Sequence, residues 1–293
     1  MKLVWRSLFF YSFLIASLVS LFPLASVKAQ IEPDNTLGTE NSQVVPDIVD
    51  GVDLINGGAT RGSNLFHSFR EFNIDEGRGA YFANPDGIAN IFSRVTGANP
   101  SNILGRLGVL GNANLFLINP NGIFFGRNAS LDLRGSFFAS TADSLVFDNN
   151  FEFSASDRAA PPLLTVNIPT GLRFRDNPGS INVTRDVNTN LVGLQVVPGR
   201  TLALIGGDVT LDSGFLAAPG GRIELGGLSA TGTVGINNDS SLSFPNSVAR
   251  GDVSLTNNAF VSVNGVGEGS IAVNARNLDI FSGSGLFAGI LPN

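Results

Sequence analysis

Cysteine is absent from the 293 residues, which excludes disulfide staples, thiolate metal sites and cysteine nucleophiles. Lysine is almost as scarce, and both copies, Lys2 and Lys28, sit at the extreme N-terminus with the only Met and the only Trp. There the cationic Lys2 and Arg6 precede an apolar run from Leu8 to Ala25, and small residues surround Val27-Lys28-Ala29. This order reads as a secretory signal, residues 1–29, cut near Ala29–Gln30. The competing reading is a retained membrane anchor. A run of roughly 18 residues broken by Ser12, Ser17, Ser20 and Pro23 is marginal for a span, and the signal is preferred.

Beyond the signal the chain has 15 Arg against 24 Asp and Glu, a net charge of −9. That excess of acid argues against nucleic acid, whose phosphates demand a basic face, and against anionic lipid. An exported chain with no disulfide must hold itself together by burial and backbone hydrogen bonds. A helical stripe of apolar residues at i, i+3, i+4 and i+7 is hard to find anywhere in it. What it has instead is 35 Gly, 30 Asn and 13 Pro, placed so that they end short runs of β-favouring residues.

Four of these runs share one form: Gly207-Asp-Val-Thr-Leu211, Gly221-Arg-Ile-Glu-Leu225, Gly251-Asp-Val-Ser-Leu255 and Gly269-Ser-Ile-Ala-Val273. Their glycines are 14, 30 and 18 residues apart. The long gap has room for a further turn near Gly232-Thr-Val-Gly-Ile236, and a loose period of about 15 to 20 residues suits one coil of a solenoid. A β-sandwich would need hairpin signals between alternating strands. A parallel β-helix needs short strands, corners that tolerate left-handed residues, and stacked Val, Ile, Leu and Phe. Asn can also form hydrogen-bonded ladders along such a stack. The β-helix is the better fit.

Between Val44 and Asp143 a series of motifs follows in order: Asp53-Leu-Ile-Asn-Gly-Gly-Ala-Thr-Arg-Gly62, Leu65-Phe-His-Ser-Phe69, Asn84-Pro-Asp-Gly-Ile88, Arg94-Val-Thr-Gly97, Asn99-Pro-Ser-Asn-Ile-Leu-Gly105, Asn119-Pro-Asn-Gly-Ile123 and Gly135-Ser-Phe-Phe-Ala-Ser-Thr-Ala-Asp143. This order resembles the N-terminal secretion domain of the filamentous haemagglutinin family, the exported partners of two-partner secretion, in its cyanobacterial form. The resemblance implies an all-β, right-handed parallel β-helix. It also implies export through a cognate outer-membrane β-barrel transporter with periplasmic recognition domains, and a secreted or cell-surface adhesin that binds host or neighbour-cell glycans. No cofactor is implied. Two segments correspond to the family's secretion motif: Asn84, Pro85, Asp86, Gly87 and Ile88, where the family has Asn-Pro-Asn-Leu, and Asn119, Pro120, Asn121, Gly122 and Ile123. Pro120 sets φ near −65° while Asn121 and Gly122 accept turn conformations, so a coil corner between Leu115-Phe-Leu-Ile118 and Ile123-Phe-Phe125 accounts for most of the motif. Direct reading by the transporter is the alternative. Gly122 is expected at positive φ, and Ile118 and Ile123 facing inward or at least buried.

Catalytic signals are weak. His67 is the only histidine and lies in an apolar run; without a Gly-x-Ser-x-Gly elbow or a second ligand it reads as a hydrogen-bonded structural residue. Phe124, Phe125, Phe137 and Phe138 suit core or end-cap packing better than a sugar platform. Asp47, Asp50 and Asp53, three apart, fall on different faces of a strand and make no catalytic pair. No calcium-binding Gly-Gly-x-Gly-x-Asp repeat occurs. A carbohydrate-active β-helix enzyme is therefore the lesser reading. The expected organisation is a signal (1–29), a polar lead-in (30–43), a secretion module (44–160) ending in an exposed loop at Ser154–Pro162, and further coils (161–293). The chain ends without an evident polar cap, and either a truncated gene or a fragment of a longer exoprotein is expected.

Overall fold

A computed structural model describes residues 30–148, 151–157, 164–186 and 193–291. The expected signal falls outside these residues, as do positions 158–162 of the expected loop. Among them the chain winds into the expected parallel β-helix, with one 3-10 turn at Gly38–Glu40. Each coil lays strands on three faces.

The first face runs through Asn64–Phe72, Asn90–Val95, Asn114–Ile118, Phe137–Ser140, Thr201–Gly206, Arg222–Gly227 and Ser270–Asn274, all parallel. The second runs through Ser101–Ile103, Ile123–Phe125, Ile181–Thr184, Val209–Asp212, Val253–Thr256 and Leu278–Ile280. The third comprises Val52–Gly57, Gly79–Ala83, Arg106–Leu110 and Ser130–Asp132, then Leu194–Gln195, Phe215–Ala217, Phe260–Ser262 and Gly285–Phe287 in later coils. Antiparallel strands Ile31–Pro33 and Ser42–Val49 cover the N-terminal edges of the first and third faces and become the terminal strands of those sheets.

Strand alternation divides the packing in two. Leu65, Ile91, Leu115, Phe137, Leu202, Ile223 and Ile271 stack coil on coil inside the helix. Their neighbours Phe66, Phe92, Phe116 and Phe138 point the other way, and Phe116 and Phe138 stack with ring centroids 4.4 Å apart. A separate antiparallel sheet, Glu152–Ser154, Ser144–Phe147, Pro169–Phe174, Gly232–Ile236 and Leu242–Ser243, covers this outer row with Leu145, Phe147, Phe153, Leu172, Phe174 and Val234. The first face is thus buried on both sides, which is why Leu115-Phe-Leu-Ile118 is apolar throughout instead of alternating. The second face has one covered side, and there Val209 and Leu211 are buried around a half-buried Thr210.

Three expectations need correction. The four Gly-led runs are faces, not coils: 207–211 pairs with 251–255 on the second face, and 221–225 with 269–273 on the first. First-face strands begin at residues 64, 90, 114 and 137, so one uninterrupted coil takes 23–26 residues. Gly232–Ile236 is no further turn of the solenoid; it leaves the helix and pairs antiparallel with Pro169–Phe174. The segment expected as an exposed loop opens with buried Ser154, the last residue of a flanking-sheet strand, and buried Ala155, which packs in the same cluster.

Ile123 lies inside the helix at 1% exposure, whereas Ile118, also buried, faces out beneath the flanking sheet. Replacing either with Asp buries a charge at a cost of several kcal/mol. A circular-dichroism melt is expected to show loss of the cooperative transition for both; wild-type melting of either variant contradicts the two-sided core.

His67 is fully buried, its ring 5.2 Å from that of Phe82 and its Nδ1 3.1 Å from Ser42 Oγ. Burial lowers its pKa from 6.5 to about 3. The unfolded chain therefore takes up the proton first. His67's contribution is complete above pH 6.5 and is lost at about 1.4 kcal/mol per unit as pH falls toward 3. From pH 6.5 to 5 the wild type is expected to lose about 2 kcal/mol more than His67→Leu in denaturant titrations. Identical pH slopes in the two proteins contradict a neutral buried imidazole.

Candidate functional site

Asn119 follows directly on a first-face strand and turns the chain onto the second face. Its Nδ2 donates to Asn99 O (3.1 Å) and Ser101 Oγ (3.0 Å) of the preceding coil. Its Oδ1 accepts from Asn121 N at 3.0 Å and Asn121 Nδ2 at 3.2 Å. Gly122 N closes the turn on Asn119 O at 3.1 Å. The Asn119 side chain is fully buried, with both ends of its amide satisfied. Asn121 is exposed yet also reaches down, donating to Gly97 O at 2.8 Å.

The next coil rests on the same corner. Gly179 N donates to Pro120 O (2.9 Å) and Ile123 N to Ser180 O (3.1 Å). Asn99-Pro100, Asn119-Pro120 and Asn177-Pro178 are therefore stacked corners of successive coils, with Asn177 at φ +56°. Gly122 has the expected positive φ, +121°, and a Cβ there would lie 3.2 Å from Ser180 O. Glycine is required by conformation and by the close approach of the next coil.

Asn84–Ile88 forms a different corner, from the third face to the first. Asn84 Nδ2 donates to Pro85 O (3.2 Å) and Ile88 O (3.0 Å), and Asn84 Oδ1 accepts from Ala113 N (2.9 Å) one coil on. Ile88 is buried, while Pro85, Asp86 and Gly87 form an exposed tip with Gly87 at φ +83°. The first-face strand Asn90–Val95 separates the two corner ladders, roughly 20 Å of extended chain. The fold does not bring the two motifs together.

At the first-face strand starts, Asn90 Nδ2 donates to Asn64 Oδ1 (3.2 Å) and Asn114 Nδ2 to Asn90 Oδ1 (3.0 Å), the expected axial ladder. At the other end lies a node that sequence reasoning missed. Arg94, fully buried, donates to Ser68 Oγ (2.9 Å), Thr36 Oγ1 (2.7 Å) and the Ser154 carbonyl, with its guanidinium 4.4 Å above the Phe153 ring. Burial lowers the Arg94 pKa to about 10, with Asp34 opposing, so it stays cationic. Burial raises the Asp34 carboxyl, but hydrogen bonds from Thr36, Thr96 and Ser68 carry it below its usual value. An Arg amid Ile91-Phe-Ser-Arg-Val95 was the available signal: a charge in so apolar a run needs a dedicated set of partners.

Asp47 and Asp53 share Arg78, at 2.9 and 2.7 Å, and make no acid–base pair with each other. Phe125 and Phe137 are core, Phe138 lies under the flanking sheet and Phe124 is half-buried on the second face. Among the described residues no three His, Cys, Asp or Glu are grouped to hold a metal ion.

Comparison with known proteins matches residues 29–273 to the TPS secretion domain. A heme/hemopexin-binding protein of Haemophilus influenzae is 35% identical over 75 residues, 26% of this chain and 8% of that protein. The crystal structure of the HMW1 secretion domain from Haemophilus influenzae matches with a TM-score of 0.56 at 20% identity, covering 85% of this chain and 65% of that one. A filamentous hemagglutinin secretion domain gives 0.42 at 16% identity over 88% and 99%. The chain thus spans less than two thirds of the heme/hemopexin-binding protein and of the HMW1 domain, and the HMW1 likeness is one of fold. With the family match running through nearly every coil, the chain belongs to the TPS secretion domain family, the exoprotein modules that two-partner secretion carries across the outer membrane.

Proposed function

We propose that this chain is the export module of a surface adhesin. Residues 44–160 carry the address for an outer-membrane β-barrel transporter with periplasmic recognition domains, and the adhesin as a whole engages glycans of host or neighbouring cells. The protein is not an enzyme in this reading.

The Asn119–Ile123 motif contributes to export through folding. The observation that supports this is the burial of Asn119 with all its polar atoms bonded between two coils, which leaves little of it for a transporter to touch. Each coil that forms at the surface offers a ready ladder and apolar row to the next, so folding outside the cell draws the chain outward without a nucleotide. Lack of Cys suits this route, because no disulfide can lock the chain in the oxidising periplasm. The exposed tip Pro85-Asp86-Gly87 and exposed Asn121 are the parts of the two motifs open to a partner.

Two measurements test the reading. Deleting residues 44–160 behind an intact signal is expected to leave the remainder in the periplasm when the transporter is present; efficient surface delivery refutes the assigned address. Asn119→Ala is expected to cost about 2–3 kcal/mol and Asn121→Ala about 1. Gly122→Val costs about 1–3 through backbone strain. Secreted yield of all three follows refolding stability. A variant of Asn119 or Asn121 that folds like wild type yet stays inside overturns the folding role and assigns the motif to direct recognition.

A further inference from the structure

Trp5 and Tyr11 lie within the expected signal, so beyond residue 29 the chain has no tryptophan and one tyrosine, Tyr81. The chain otherwise relies on phenylalanine, which makes a single surface hydroxyl-bearing ring conspicuous. Tyr81 points out of strand Gly79–Ala83, whose Ala80 and Phe82 point into the core. In register with it stand Gly108 on the next coil and Asp132 on the one after. A Cβ placed on Gly108 would lie 2.3 and 2.4 Å from Cε1 and Cδ1 of Tyr81. The ring thus occupies the space of a side chain at 108.

The Tyr81 hydroxyl donates to Asp132 Oδ2 at 2.8 Å. To span two strand spacings of about 4.8 Å each, the ring must lie along the sheet. One of its faces rests on the glycine backbone and the half-buried side chain leaves the other toward solvent. The Arg106 guanidinium sits beside the same hydroxyl. An open cleft of about 260 Å³ lined by Tyr81 and Arg106 meets a second of about 540 Å³, lined by Asp132, at Arg106 and Ser130.

A flat ring fixed at its hydroxyl, with a carboxylate and a guanidinium at its rim, matches a pyranose. The sugar's C–H face lies on the ring, while vicinal hydroxyls bridge Asp132 and Arg106 through charge-assisted hydrogen bonds. Charge selects among sugars: the Asp132 carboxylate at the rim repels a polyanion, and Arg78 is held by Asp47 and Asp53. We propose that Tyr81, Asp132 and Arg106 form a docking platform for a neutral pyranose of an oligosaccharide. The proposal rests on the adhesin reading and places a glycan contact within the export module itself.

Because Tyr81 is the sole tyrosine of residues 30–293, its fluorescence in that chain reports this platform alone. Titrating that purified chain with maltotriose, cellotriose and triacetylchitotriose is expected to give a saturable change with at least one. A heparin tetrasaccharide and 3′-sialyllactose are expected to give none. By saturation-transfer NMR, Tyr81→Leu binds about tenfold more weakly or worse, Tyr81→Phe within about threefold of wild type, and exposed Asp132→Asn also weakens binding without changing the melt. No saturable response to the three neutral sugars overturns the proposal, as does a response to the anionic ones alone or undiminished binding by Tyr81→Leu. Export of Tyr81→Leu is expected at wild-type yield, so a negative sugar result leaves the export reading standing and a loss of export is read separately.

Discussion

The first face of the helix is an in-register parallel sheet buried on both sides, and the other elements depend on it. Its inner rows, such as Leu65–Ile91–Leu115–Phe137, fill the solenoid, while its outer row Phe66–Phe92–Phe116–Phe138 holds the flanking sheet in place. Parallel strands joined by one-directional winding cannot close their own ends, so the antiparallel strands Ile31–Pro33 and Ser42–Val49 at the start are as necessary as the core itself. Every later coil packs against the one before it.

Polar side chains then fix the register that apolar burial alone leaves loose. The Asn64–Asn90–Asn114 ladder does so at the start of the first-face strands, and the stacked Asn-Pro corners do so where the chain leaves that face. Arg94 joins parts that are remote in sequence: Thr36 of the N-terminal segment, Ser68 of the preceding coil and Ser154 of the flanking sheet. Removing one partner from such a node leaves a buried charge uncompensated, which makes it a point where N-terminal cap, coil and flank are satisfied together or not at all.

Much of this was legible in the sequence, and the rest was hidden for identifiable reasons. Gly-polar-aliphatic-polar-aliphatic runs gave the strands correctly, because successive strand residues alternate between the solenoid interior and its outside on either face. They misled on the coil, because the same pattern serves two faces and long excursions separate true neighbours such as Val209 and Val253. Gly232–Ile236 looks like any other run; whether it joins the helix or the flank depends on the distant partner Pro169–Phe174, which no local signal reveals. The positive φ of Gly122 and the burial of His67 followed from their neighbours. That Asn84–Ile88 and Asn119–Ile123 occupy corners on opposite sides of the first face could not, since motif order says nothing about which corner each one turns.

Membership of the TPS secretion domain family and this architecture together describe a chain whose stability is built outward from a closed N-terminal end. Amide hydrogen exchange on residues 30–293, resolved by strand, tests that claim most directly. The account predicts the strongest protection in Asn90–Val95, Asn114–Ile118 and Phe137–Ser140, where both sheet faces are covered, and the weakest in Ser270–Asn274, whose residues are only partly buried. Uniform protection along the stack, or greater protection at Ser270–Asn274 than at Asn114–Ile118, would contradict it.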